Sequence, residues 1–253
     1  MLRPSVILLV VFALFATISI ASAQVSIALG NATAGFSQGN GYPVGASIDG
    51  VLDMGYNGWG HWTRNTDDAS VYETASNASY LSYEFKMTML CPSHNIGRFR
   101  ISTTTDDRTL FADGLESDGD IDANWTVLNL TNLISVNGAT LTLLDDRSVL
   151  ASGPNPDWDI YTFSANAVDD DVTGFRLEVL TDSSFTQNGP GRAFNGNFVL
   201  TEFEITGIGT YSVPEPGQVA SSLILLSGIG IYLWRKRRIA DLRLANLKPH
   251  LLN

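Results

Sequence analysis

The chain is 253 residues long and carries 26 acidic against 15 basic side chains. Residues 24–213 hold 24 of those acids and only 8 of the bases, a formal charge of −16; such a surface repels nucleic acid and anionic lipid, which excludes a nucleic-acid partner. The middle of the chain, about 190 residues, suffices for one sizeable domain with a full core, and the lone Cys91 excludes a disulfide within it.

The first 23 residues read as an export signal. Arg3 gives a positive start, residues 6–20 are an almost unbroken apolar run, and Ala21-Ser22-Ala23 is a small-x-small cleavage site. Residues 1–23 are therefore predicted to be a signal peptide, removed after Ala23, and are left out of the fold.

From residue 24 to 210 the dominant signal is period-2 alternation. Leu81, Tyr83, Phe85, Met87 and Met89 fall on one side, with Ser82, Glu84, Lys86 and Thr88 on the other. Phe99, Ile101 and Thr103 alternate with Arg98, Arg100 and Ser102, and Phe175, Leu177 and Val179 alternate with Arg176 and Glu178. Val199, Thr201, Phe203 and Ile205 alternate with Leu200, Glu202 and Glu204. Shorter strands are predicted at 71–74, 125–130, 140–144 and 160–163. Turn clusters such as Asp113-Gly114, Asn137-Gly138 and Gly153-Pro154-Asn155-Pro156 lie between them. No segment keeps a 3.6-residue period. The pattern predicts an all-β sandwich or jelly roll.

Two loops carry candidate chemistry. Asn57-Gly58-Trp59-Gly60-His61-Trp62 is too glycine-rich for a core strand, and exposed Trp59 and Trp62 would offer faces to sugar rings. His61 and Arg64, with Asp67 nearby, would supply hydrogen bonds to hydroxyls; the competing reading makes both indoles plugs at one end of the core. Asp49-Gly50-Val51-Leu52-Asp53 offers carboxylates and carbonyls to a hard cation, with an ordinary Asp-Gly turn as the alternative. Catalytic signatures are lacking: His61, His94 and His250 form no ligand pair on one element, and neither a Gly-x-Ser-x-Gly elbow nor a phosphate-cradling loop occurs. Asp106-Asp107-Arg108, Asp145-Asp146-Arg147 and Asp169-Asp170-Asp171 read as solvated turns, and Cys91 as a half-buried small residue.

The domain resembles galactose-binding-like, discoidin-type sandwiches. The resemblance rests on Asn31-Ala32-Thr33-Ala34, Ala46-Ser47-Ile48-Asp49-Gly50, the run 96–104, and the closing segment 197–205. Gly189-Pro190-Gly191-Arg192 and Asn195-Gly196-Asn197 add a similarity to the versions on planctomycete exported proteins. This resemblance implies a sandwich fold and a structural Ca²⁺ that joins the Asp49/Asp53 loop to a glutamate on the last strand, here Glu202. It does not fix a ligand.

Past the domain, Pro214, Glu215 and Pro216 precede an apolar stretch, about 218–234, near the lower limit of about 17 residues for a bilayer span. Tyr232 and Trp234 stand where interfacial aromatics belong, and Arg235, Lys236, Arg237 and Arg238 mark a cytoplasmic end. The order resembles the PEP-CTERM sorting signal (211–238), which implies an exosortase-type processing enzyme in bacteria that make extracellular polysaccharide. Residues 239–253 extend beyond that pattern as a cytoplasmic tail. The sequence thus predicts an exported protein, anchored in the inner membrane during sorting and then at the cell surface or in the matrix. Its expected role is non-catalytic carbohydrate or matrix binding. The alternatives are a purely structural matrix protein and, more distantly, a carbohydrate-active enzyme.

Overall fold

The computed structural model describes residues 24–39, 41–54, 57–62 and 66–209. The signal peptide, Arg64, the sorting motif at Pro214, Glu215, Pro216 and 235–238, the span at 218–234 and the tail at 239–253 lie outside the described residues. Among the described residues no helix is long and apolar enough to cross a membrane.

In chain order the strands are β1 (Gln24–Ser26), β2 (Leu29–Ala34), β3 (Trp59–His61), β4 (Asp68–Ala78), β5 (Ser82–Met89), β6 (Arg98–Thr104) and β7 (Thr126–Val127). They continue with β8 (Leu130–Ser135), β9 (Thr140–Leu143), β10 (Val149–Ser152), β11 (Asp159–Asn166), β12 (Val172–Val179), β13 (Phe198–Leu200) and β14 (Glu202–Ile208). One sheet runs β1-β14-β5-β11-β8 and the other β2-β4-β12-β6-β10-β9, with β7 also on β6. β3 and β13 form a separate two-stranded ribbon.

Alternation explains why the two sheets close on each other. In β5 the inward Tyr83, Phe85, Met87 and Met89 are at most 1 % exposed, and Phe85 stacks on Phe163 of β11 and Phe203 of β14 within its own sheet. Across the gap, Phe99 meets Phe163 at 5.2 Å, Tyr83 meets Phe175 edge-on at 5.2 Å, and Tyr72 meets Phe203 at 5.3 Å. Aromatic pairs in these geometries add about 0.5–1.5 kcal/mol each beyond their buried area. A smaller cluster of Val71, Phe111 and Ala112, with Trp125 against it, forms where the long β6–β7 connection covers the outer face of the second sheet. That cover explains why Ser102 and Thr104, predicted or placed at polar positions of β6, are buried as well.

Two expectations need correction. Leu81 precedes β5 and is 54 % exposed, so it is not part of the inward row. The alternating run 199–205 is not one strand. It breaks at Thr201, whose N–H donates to the Thr88 carbonyl and whose hydroxyl accepts from the Leu90 N–H. This step carries the chain from the ribbon (β13) to the first sheet (β14).

The registers fix which loops meet. Met89 pairs with Asp159, Thr88 with Glu202, and Val179 with both Asp68 and Phe99. The described parts of 35–67, and the segments 90–97, 153–158 and 180–201, therefore gather at one end of the sandwich, hereafter the loop end. At the opposite end Gln24 pairs with Ile208, and Leu81 donates to the Gly209 carbonyl. Both ends of the described domain leave from there.

Candidate functional site

The segment around Trp59 sits at the loop end, but as a strand. Trp59 and His61 are both fully buried in β3. The Trp59 Nε1–H donates to the Phe36 carbonyl at 3.0 Å, and its ring meets Phe198 edge-on at 5.1 Å. The His61 ring stacks on Phe198 at 5.8 Å and receives the Phe36 edge at 5.4 Å, while its Nε2 lies 3.1 Å from Asp68 Oδ2. Of the two readings, Trp59 takes that of a plug at the end of the core, and the buried His61, against Phe36, Phe198 and Asp68, presents no face to solvent.

The glycines that argued against a strand have another purpose. Gly60 lies so close to Tyr42 that a Cβ would stand 2.7 Å from the Tyr42 Cβ. Gly58, at φ +130°, presses on the Leu200 carbonyl. Glycine here permits close approach of backbones. Trp62, one residue past β3, is 55 % exposed. The structure thus separates the two indoles: Trp59 is buried in the core, and Trp62, one residue past the strand, is exposed.

The calcium candidates are brought together in part. Glu202, at the start of β14, is 6 % exposed, and its Oε2 accepts the Gly50 N–H at 3.0 Å. Asp49 Oδ1 accepts from the Val51 N–H and from Asn57 Nδ2, which shapes the loop, and Asp53 is exposed further along it. Burial pushes the Glu202 carboxyl up to about 7; the Gly50 N–H opposes the rise, and the nearby Asp49 and Glu204 carboxylates add to it. Lys86, a cation that opposes the rise, bonds Glu204 at 2.6 Å. Carboxylates are donors of the kind hard cations take, and Glu202 and Asp49 meet the same turn, on the Gly50 and Val51 N–H groups. No group of three His, Cys, Asp or Glu side chains converges among the described residues, however. Asp118, Asp120, Asp122 and Asn124 also alternate; Asp120 Oδ1 accepts the Asp122 N–H, and the Asn124 N–H and Nδ2 both donate to Asp106 Oδ2.

Sequence reasoning missed a second group at the loop end. A cleft of about 270 Å³ lies between Ser152, Gly153 and Asn155 on one side and Ser184, Phe185 and Arg192 on the other. The Arg192 Nη2 donates to the Gly153 carbonyl at 2.7 Å. Phe194 nearby is 83 % exposed, and Trp158 is 38 % exposed. The Gly189–Arg192 and Asn195–Asn197 similarity marks this region in the sequence, but as a sign of fold rather than of a site. Cys91 is buried, and burial raises its thiol, which keeps it from acting as a nucleophile.

The described residues therefore define an all-β sandwich with aromatic and polar groups collected on the loops of one end. No family model matches the chain, and no curated protein does. Solved structures of similar shape include chitosan-binding module 1 of a chitosanase/glucanase from Paenibacillus sp. IK-5, at 14 % identity and TM-score 0.41, over 72 % of this chain and 96 % of that one. The family 32 carbohydrate-binding module of C. perfringens NanJ, solved with galactose, is 9 % identical with TM-score 0.42, over 73 % and 99 %. The family 32 module of Streptococcus pneumoniae EndoD is 11 % identical with TM-score 0.42, over 71 % and 97 %.

Proposed function

We propose that this chain is exported, is sorted to the cell surface through residues 211–238, and binds carbohydrate with its sandwich without turning it over. The observation that carries the binding reading is Trp62. An indole that is 55 % exposed directly follows a strand whose own Trp59 and His61 are fully buried. Aromatic faces of this kind stack on pyranose rings. The described domain begins at Gln24 and ends at Gly209, both at the end opposite the loop end. In this reading Asp49 and Glu202, with loop carbonyls, hold a structural Ca²⁺ that fixes the loop beside β14, and an exosortase-type enzyme processes the chain near Pro214-Glu215-Pro216.

The test is retardation of the full chain in gels cast with polysaccharide. Trp62→Ala should weaken binding and leave the melting temperature nearly unchanged, since an exposed ring adds little to the core. Equal retardation of Trp62→Ala and the natural protein would remove Trp62 from the site.

A purely structural matrix role is the second reading. It is favoured by one feature: the adjoining edges of the two sheets expose Ile134 and Val136 on and after β8 and Leu143 on β9, and unpaired apolar edges promote self-association. Concentration-dependent assembly, with no polysaccharide bound, would establish it.

A further inference from the structure

We infer that the free edge of β8 is an interface with a second copy of this chain, formed by antiparallel pairing of β8 with its own copy about a two-fold axis at Ile134. The inference rests on the edge that favours the second reading and gives its self-association a closed form; it stands apart from carbohydrate binding.

The two sheets end in β1, β8, β2 and β9, and three of these edges are blunted in the ways that keep edges from pairing. β1 is three residues long. β2 is broken by a bulge between Gly30 and Thr33 and is covered by the β6–β7 connection. There the Ala34 N–H donates to the Leu115 carbonyl and the Gly119 N–H to the Ala34 carbonyl, each at 3.1 Å, and the Gly114 N–H donates to Thr33 Oγ1 at 2.7 Å. β9 is four residues long and runs on into Asp145 and Asp146. β8 has six residues with neither charge nor proline, and among the described residues no backbone hydrogen bond outside its β11 ladder reaches it.

The ladder fixes which groups are free. The Val136 N–H donates to the Ile160 carbonyl at 3.0 Å, so by alternation Ile134, opposite Thr162, also turns its N–H and carbonyl toward β11. Leu133 and Ser135 then turn theirs outward. Asn132, at φ 52°, sits where the β8–β11 register shifts, which confines the regular edge to 133–136. Pairing Leu133 with the partner's Ser135, and the reverse, makes about four N–H···O bonds. The same register sets Ile134 against the partner's Ile134 as a non-hydrogen-bonded pair, the closest kind of cross-strand contact.

Charge selects the occupant. Residues 123–144 carry no charged side chain, within a segment of net charge −16. Two such domains repel over most of their surface, and this band lets them meet without opposing carboxylates. Ile134 and Val136, 56 % and 54 % exposed, then cover the same patch on the other copy, as an isologous two-fold contact requires. Antiparallel pairing also sends the two loop ends to opposite poles of the dimer.

Sedimentation of the full chain in mild detergent, over a range of concentrations, reads the assembly. Ile134→Lys places two like charges opposite each other at the axis, and melting temperatures are taken alongside. The expected result is a monomer–dimer equilibrium that saturates at the dimer and that Ile134→Lys weakens roughly tenfold or more without loss of melting temperature. Oxidation with copper phenanthroline tests the register: Ile134→Cys should form a covalent dimer, and the natural chain, whose Cys91 is buried, should not. A monomer at every concentration, or no covalent dimer of Ile134→Cys, overturns the interface. Growth beyond the dimer overturns the closed two-fold form and leaves the matrix reading. A dimer that polysaccharide gels do not retard removes the carbohydrate reading and keeps the interface, and a retarded monomer does the reverse.

Discussion

Replacing Glu202 by glutamine tests the electrostatics of the loop end directly. The carboxyl has an ordinary value of 4.5 and is pushed up to about 7 in the fold, chiefly by burial at 6 % exposure. Between those values the folded state holds a proton that the unfolded chain releases. Stability therefore falls as pH rises through the window, and the full cost is in place above about pH 7. A rise from 4.5 to about 7, at about 1.36 kcal/mol per pH unit, amounts to about 3 kcal/mol. Glutamine keeps the shape and an acceptor for the Gly50 N–H but carries no charge, so in chelator Glu202→Gln should match the natural protein near pH 4.5 and exceed it at pH 8. For a domain of this size about 3 kcal/mol corresponds to a melting-temperature gain of roughly 6–12 °C. The assay is thermal unfolding of both proteins from pH 4.5 to 8 with chelator, taken as a difference so that the other carboxylates cancel. A difference that stays constant across that range would refute the reasoning. Calcium should then nearly close the gap at pH 8: an ion at about 100 times its dissociation constant adds about 2.7 kcal/mol to the natural protein and little to the glutamine variant. If calcium moves neither protein while the pH-dependent difference persists, the metal site falls and the electrostatic account stands.

Trp59→Ala should cost about 3–5 kcal/mol in urea unfolding, while Trp62→Ala should leave the midpoint almost unmoved; equal costs would contradict the separation of the two indoles. Gly191→Ala drives a Cβ into the Asn197 carbonyl and should lower stability by about 1–3 kcal/mol, so an unchanged midpoint would show that the loop is looser than its contacts imply. For sorting, mass spectrometry of the surface fraction should find a chain that starts at Gln24 and ends near residue 213. A mature chain that still carries residues 235–238 would replace exosortase processing with a plain anchor.

The strands that alternate over several residues were legible because half-buried β-structure leaves a period-2 trace. β5, β6 and β12 follow from Tyr83/Phe85/Met87, Phe99/Ile101 and Phe175/Leu177. β2 and β10 left no such trace. β2 reads Leu-Gly-Asn-Ala-Thr-Ala, with small residues buried beneath neighbours, and β10 is four residues long with Val149 and Ala151 inward. The region predicted as a strand at 125–130 is instead a crossing. β7 pairs with β6 in one sheet and β8 with β11 in the other, and Leu128 and Leu130 are buried where the chain passes between them. An alternating pattern cannot report a change of sheet, because the inward face is apolar on both sides. Thr201 conceals the break between β13 and β14 in the same way.

The candidate site was less legible, and the reason is the double meaning of glycine. Between Asn57 and Trp62 the glycines suggested an irregular loop holding two exposed indoles, whereas Gly58 and Gly60 let Leu200 and Tyr42 press against a buried strand. Between Gly189 and Asn197 the same residue type builds a tight loop that sends Arg192 toward Gly153 and Phe194 into solvent. Sequence shows that a backbone must come close to something; it does not show whether the partner is core or loop. The two segments therefore exchange roles once partners are known. Trp59 and His61, the obvious ligand candidates, are buried, and Phe194, within a segment that carried only a family likeness, is exposed. Aromatic residues near glycine in a β-sandwich are informative about binding only after the closing ribbon of the core has been assigned, since that ribbon uses the same composition to seal the end of the sandwich.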